Sequence, residues 1–292
     1  MPPAARRVRV RSYDPARTRA ALRAQAQALS AAVQDLCARP DAGDLLAAPV
    51  RPGDRTVREL VADLGAALDE LTGNLGLPPG DAAPLTPTDW VTAARTPADP
   101  AAVTAPEQVA AAPEQVAAGL DAAVGRLGRL LAEEHAGELR LPTPFGPMLL
   151  SDYLVTRLLE TVVHADDLAG ALAAAAPGDF AAAERFPHDR QALAAATRLL
   201  ADGLAVSAPG GAVELRIPPF AVVQCVQGPR HTRGTPPSVV ETDPLTWIRL
   251  ATGRTSWARA AGLDGDVAQL TAGGERSDLS SLLPVIGRVR SA

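Results

Sequence analysis

The stretch "TVRELVADLGAALDELTG" (56–73) constrains the fold most. Thr56 with Glu59 three residues later has the spacing of a capping box. Val57, Leu60, Val61, Leu64, Leu68 and Leu71 recur at the three- and four-residue steps of a helix with one apolar face. A helix of this kind cannot bury its stripe alone, so it requires helical partners, and three further segments supply them. Asp14-Pro15, a capping residue followed by proline at the first helical position, opens a helix over 16–38. Another runs through "AAGLDAAVGRLGRLLAEEH", and the last covers about 150–173. Four long helices within roughly the first 175 residues predict a bundle.

The segments between them read as connections. "AGDLLAAPVRPGDR" (42–55) is a linker, 75–104 is a long Pro-, Asp- and Thr-rich loop anchored by Trp90, and "GELRLPTPFGPM" (137–148) is a loop. Within 105–118 the heptapeptide "APEQVAA" occurs twice in tandem. Seven residues are close to two helical turns, but Pro113 would break a continuous helix. The duplication therefore reads as one tolerated at a helix start.

Beyond a linker at 174–188 and a helix at 189–205 the pattern changes. "GGAVELRIPPFAVVQCV" alternates Val213, Leu215 and Ile217 and then runs apolar through 220–226, which is strand behaviour with Pro218-Pro219 at an edge or bend. "DPLTWIRLATGR" is a capped helix ending at Gly253, "SWARAAGL" extends or follows it, and "GDVAQLTAGGERSDL" closes the chain in short, turn-rich pieces. The expected organisation is a helical bundle over 1–175 and a small α+β domain over 189–292.

A length of 292 residues suits two such domains and a core that needs no disulfides. Cys37 and Cys225 lie far apart and read as free thiols of a reducing cytosol. The N-terminus is basic without the apolar stretch of a signal peptide, and no window approaches the roughly 18 apolar residues of a membrane span. A soluble, cytoplasmic protein is expected. The net charge of −5, with no basic block beyond the first dozen residues, argues against a nucleic-acid partner. All 28 basic residues are arginine, which looks like the codon bias of a high-GC genome, so arginine abundance alone carries little functional weight.

Chemistry concentrates in "RLLETVVHADDL" (157–168). At 100° per residue, Arg157, Glu160, His164 and Asp167 fall within an arc of about 80°. Glu160 and His164, four residues apart, share one face, as two ligands of one metal would. The same pattern fits a solvent-facing stripe with Arg157–Glu160 and Glu160–His164 pairings, and a metal needs a third ligand from elsewhere. In "GPRHTRGTPP", Arg230, His231 and Arg233 suit a carboxylate or phosphate of a substrate or thiol cofactor. They equally suit pairing with Glu241 or Asp243 nearby. His135 and His188 read as surface residues, and Trp247 and Trp257 as core anchors.

The run "RLLETVVHADDL" resembles the R-x2-E-x3-H-x2-D pattern of the mycothiol-dependent maleylpyruvate isomerase family, whose N-terminal domain is a DinB-like four-helix bundle. "TVRELVADL" (56–64) resembles that family's second pattern, which usually carries a histidine where Asp63 stands here. The resemblance implies a divalent metal, typically zinc, held by Glu160, His164 and the residue at position 63. It also implies Asp167 orienting His164 or a neighbouring backbone group, with Arg157 beside it.

"VELRIPPFAVVQCVQGPRHTRGTPPSVVETDPLTWIRLATGR" is similar to an actinobacterial sterol-carrier-like domain. The fold class implied is thus α + (α+β), a DinB-like four-helix bundle followed by a sterol-carrier-like domain that completes a cleft. The activity implied is a metal- and thiol-dependent isomerase or transferase, with mycothiol as the thiol and a small acid as substrate. The alternative is a non-enzymatic carrier of an apolar, lipid- or sterol-like ligand with the bundle as scaffold. With Asp63, the donor set of two carboxylates and one imidazole would distinguish Zn²⁺, Mn²⁺ and Fe²⁺ less sharply and activate a thiol less well.

Overall fold

The computed structural model describes residues 11–51, 53, 55–95, 111–133, 135, 138–175, 185–228 and 238–287. They form two compact units, one from 14–86, 111–175 and 185–196, the other from 11–13, 87–95 and 197–287. Among the described residues no helix is long and apolar enough to cross a membrane.

The first unit is the expected bundle. Its long helices are α1 (Pro15–Cys37), α3 (Val57–Gly73), α5 (Pro113–Ala132) and α6 (Leu150–Ala175). Asp14 caps α1 by accepting from the Arg17 amide at 2.8 Å. The Thr56–Glu59 capping box on α3 forms in both directions. Pro113 opens α5 rather than interrupting it, so the second heptapeptide copy starts the helix. The first copy lies outside the described residues, apart from Ala111.

Contacts fix the helix directions. Arg126 and Asp69, both about two-thirds along their helices, make a bidentate pair, and Cys37 lies beside both Arg58 and Ala117 near the starts of the same two helices, so α3 and α5 run the same way. Asn74, just past the end of α3, donates to the Pro142 carbonyl shortly before α6, so α3 and α6 run oppositely. α6 packs against α1 and α3. Every residue from Tyr153 to Ala169 is buried, which makes α6 the axis of the unit.

Two connections read as irregular contain elements. A short helix α2 (Ala42–Ala47) sits within 42–55, because Leu45 and Leu46 bury against the bundle. Within 137–148 the chain pairs β1 (Arg140–Leu141) with β2 (Met148–Leu149) ahead of α6. Buried Gln25 ties down the end of the 174–188 linker: its amide nitrogen donates to the Pro187 carbonyl and its oxygen accepts from the Asp189 amide.

The second unit contains α4 (Pro87–Ala93), which lies inside the stretch read as a loop over 75–104. Its Trp90 and Val91 are buried. α7 (Arg190–Ser207) begins in the first unit and ends in the second. There Gly203 gives Val91 its room, since a Cβ at Gly203 would stand 2.5 Å from a Val91 methyl. The sheet has the order β4-β3-β5-β6, from β3 (Val213–Ile217), β4 (Ala221–Cys225), β5 (Val239–Thr242) and β6 (Leu270–Gly273). β3 and β4 pair antiparallel around the Pro218-Pro219 turn, β3 and β5 parallel, β5 and β6 antiparallel. Val213, Leu215 and Ile217 are fully buried.

The apolar run at 220–226 is also an alternating strand: Val222 is 60% exposed although its neighbours are not. Asp243 caps α8 (Pro244–Ala251) through the Leu245 and Thr246 amides, and Gly253 ends it in the left-handed region. α9 (Trp257–Ala260) follows as a separate turn capped by Ser256. β6 occupies a stretch read as turn-rich. Only Leu270 of its four residues is buried, too few to show an alternation in sequence.

Candidate functional site

The polar face of α6 does not meet water. Arg157 is 4% exposed, Glu160 and His164 are each 1% exposed, and Asp167 is buried beside them. A solvent-facing stripe is therefore excluded, and the reason is packing: a central helix is covered on every side, polar face included. The charges taken inside must then be partnered.

Arg157 is the hub. Its Nη2 lies 2.7 Å from Glu160 Oε1, and its Nη1 lies 3.6 Å from Glu70 Oε2. Its guanidinium carbon stands 4.6 Å above the centre of the Tyr153 ring, a cation–π distance. Glu160 uses one oxygen on Arg157, while Oε2 is buried with no hydrogen-bond partner. Burial pushes the Glu160 carboxyl up to about 7; Arg157 opposes the rise and the Glu70 carboxylate adds to it. Burial likewise raises the Tyr153 phenol, against the pull of Arg157.

Asp63 stands on the same face of α3 as Glu70, but its carboxylate is ion-paired with Arg55 from the segment leading into the helix. Among the described residues, no group of three or more His, Cys, Asp or Glu side chains is arranged to hold a metal ion. The donor chemistry suits a divalent ion at two positions. Glu160 offers a buried, unpartnered oxygen and His164 follows one turn on, but the third donor is engaged by an arginine. As arranged, the set is incomplete.

Glu70, Tyr153 and Arg55 are members of this site that the sequence reading did not single out. Two of them leave a signal in spacing: Glu70 is seven residues after Asp63, the same face two turns on, and Tyr153 is four residues before Arg157. Arg55 leaves none, because it precedes the helix. Arg230, His231 and Arg233 lie outside the described residues. Asp243, a suggested partner for them, is the α8 cap. His135 and His188 are half-buried rather than on the surface, and a His135 ring nitrogen is 3.1 Å from the Leu130 carbonyl at the end of α5. Trp247 is buried and donates to the Thr197 carbonyl, while Trp257 packs at the edge of a cluster of Leu250, Ala260 and Leu270. Both cysteines are free and buried.

Residues 26–169 match the family model described as the mycothiol maleylpyruvate isomerase N-terminal domain, and residues 189–285 match the model described as bacterial SCP ortholog. Among solved structures, a mycothiol-dependent maleylpyruvate isomerase superposes with a TM-score of 0.50 at 19% identity, covering 88% of this chain and 94% of that one. A histidine-to-alanine mutant of an enzyme of the same description reaches a TM-score of 0.47 at 19% identity, covering 80% and 88%. At such identities the likeness shows the fold. No curated protein matches significantly.

Proposed function

We propose that this chain, which joins a mycothiol maleylpyruvate isomerase N-terminal domain to a bacterial SCP-type domain, binds a small thiol and a small acid at the buried face of α6, beside a half-assembled divalent-ion site. Glu160 and His164 are its standing donors, and Asp63 becomes the third when Arg55 releases it. One observation carries this reading: α6 buries Arg157, Glu160, His164 and Asp167 on a single face, where a bundle core would hold leucines. Ionisable groups held out of water at such cost mark functional sites more often than scaffold.

The helix directions support the third donor. α3 and α6 run oppositely with Glu70 against Arg157. Asp63 lies seven residues back from Glu70 and His164 seven on from Arg157, about 10 Å in each case, so the two fall at one level. Two carboxylates and an imidazole suit zinc, manganese or ferrous iron with little distinction. A bound divalent ion would supply the Lewis acidity that favours the thiolate of a thiol such as mycothiol. Arg157, anchored by Glu70 and Tyr153, holds Oε1 of Glu160 and leaves Oε2 to the site. Asp167, three residues on from His164, would orient it or a neighbouring backbone group. Arg230, His231 and Arg233 would take the carboxylate of the acid or thiol. The activity is a thiol-dependent isomerisation or transfer, carried out in the cytoplasm.

Metal content of protein purified without chelator tests this. Wild type should carry well under one equivalent, and Arg55→Ala and Asp63→His should each raise the occupancy severalfold. Glu160→Ala and His164→Ala should abolish it in every background. An Asp63→His protein that takes up no ion from a zinc dialysis would overturn the site. A wild type that retains a full equivalent would overturn the role of Arg55.

The match of residues 189–285 to the SCP-type model favours a second reading, in which that domain carries an apolar ligand. Lipid co-purifying in native mass spectrometry is the check. Its absence, together with no uptake of a fluorescent fatty acid, removes this reading.

A further inference from the structure

Between α3 and α5 runs a groove of about 470 Å³, roughly a third of a turn around α3 from Asp63 and Glu70. It belongs to neither the α6 site nor the second unit, and its volume lies in the range of small-molecule pockets. Small residues create it. Ala62 and Gly65 of α3 and Gly119 of α5 line it, and a Cβ added at Gly65 or Gly119 would meet nothing within 4 Å. Val61 and Leu120, both buried, make its floor apolar.

The two ends differ in charge. At one, Arg126 Nε and Nη2 each lie 2.7 Å from a separate oxygen of Asp69, so the pair satisfies itself and leaves little field. At the other, about 16 Å away along α3, Arg58 lines the groove and makes no hydrogen bond or ion pair with any described residue; its Nη1 is buried without a partner. A half-buried guanidinium with one nitrogen left unpartnered gains from any acceptor that reaches it. Because α3 and α5 run the same way, the first turns of α5 are at the Arg58 end, where Gln115 and Val116 line the groove. That helix terminus adds partial positive charge, which Glu114 in its first turn offsets in part, leaving Arg58 as the main attraction.

We propose that this groove binds a small carboxylate with an apolar body, its carboxylate on Arg58 at the N-terminal end of α5 and its body laid over Gly65 and Gly119. The site asks nothing of a metal or a thiol, and it holds or falls separately from the reading of α6.

Calorimetric titration of the full chain with octanoate is the test. Saturable binding to one site is expected, weakened at least tenfold by Arg58→Met, with octanol weaker than octanoate by a similar factor. Gly119→Leu should remove binding by filling the groove, while the melting temperature holds or rises because leucine replaces glycine in a helix. Should that variant misfold, Gly65→Leu fills the same space from the other wall. Absence of saturable octanoate binding overturns the proposal. So does affinity unchanged by Arg58→Met and by a groove-filling variant, which would put the octanoate elsewhere on the chain.

Discussion

The bundle draws Arg157 and Glu160 to within 4% of full burial along its central helix, whereas the sheet unit buries Val213, Leu215 and Ile217 and leaves Glu214 and Arg216 at its margin. Both units place charges close together: Arg157 meets Glu160 at 2.7 Å, and Arg216 meets Glu214 at 2.7 Å. The same distance has different consequences. At the margin, water screens each charge and either partner is dispensable. In the bundle axis, each charge depends on the other, because removal of one strands the survivor without solvent. The contrast separates a core held by apolar burial from one in which buried charges must compensate one another.

The two units can be followed separately in one experiment. The three tryptophans, Trp90, Trp247 and Trp257, all lie in the sheet unit, so fluorescence reports that unit. Far-UV helicity weights the bundle. The largest expected effect is that of Arg157→Met, which should cost about 3–5 kcal/mol in denaturant unfolding followed by helicity. A loss under 1 kcal/mol would mean that the buried charges do not depend on each other.

Next is the pH dependence of Glu160 in metal-free protein. Its carboxyl, with an ordinary value of 4.5, is raised to about 7 on folding, so its proton is retained in the native state. Its contribution to stability is fully present below about pH 4.5 and is lost as the pH rises through about 7. Wild type should therefore lose about 3 kcal/mol relative to Glu160→Gln across that window. A flat difference would show that Arg157 neutralises the cost of the charge. Burial of Cys225, raised to about 11, gives the sheet unit no such dependence until alkaline pH.

The caps should be equal in the two units. Thr56→Ala should lower bundle stability, and Asp243→Ala the fluorescence-reported unit, by about 1 kcal/mol each. The smallest effect belongs to Arg216→Met, expected within about 1 kcal/mol. A larger loss there would erase the distinction between margin and axis.

How far the sequence spoke depended on how local the signal was. The Thr56–Glu59 box, the Asp14 and Asp243 caps and the alternation of 213–217 are set by residues a few positions apart, and each formed as read. α4 was missed because its apolar pair, Trp90 and Val91, is too short a run to show a period, and it is held by Gly203 more than a hundred residues away. β6 was missed because one buried residue in four shows no alternation.

The α6 wheel was legible in full, yet its meaning was not. A wheel reports which side chains share a face, never what covers that face, and a polar stripe looks the same whether it meets water or the middle of a bundle. Sequence by itself determined the four long bundle helices, the strands β3 and β4, the Asp14, Thr56 and Asp243 caps and the grouping of Arg157, Glu160, His164 and Asp167. Tertiary structure alone decided that this group is buried, that Glu70 and Tyr153 close around Arg157, and that Arg55 engages Asp63. The physical reason is range: capping and periodicity act over one or two turns of chain, whereas desolvation and ion pairing depend on what distant segments bring alongside.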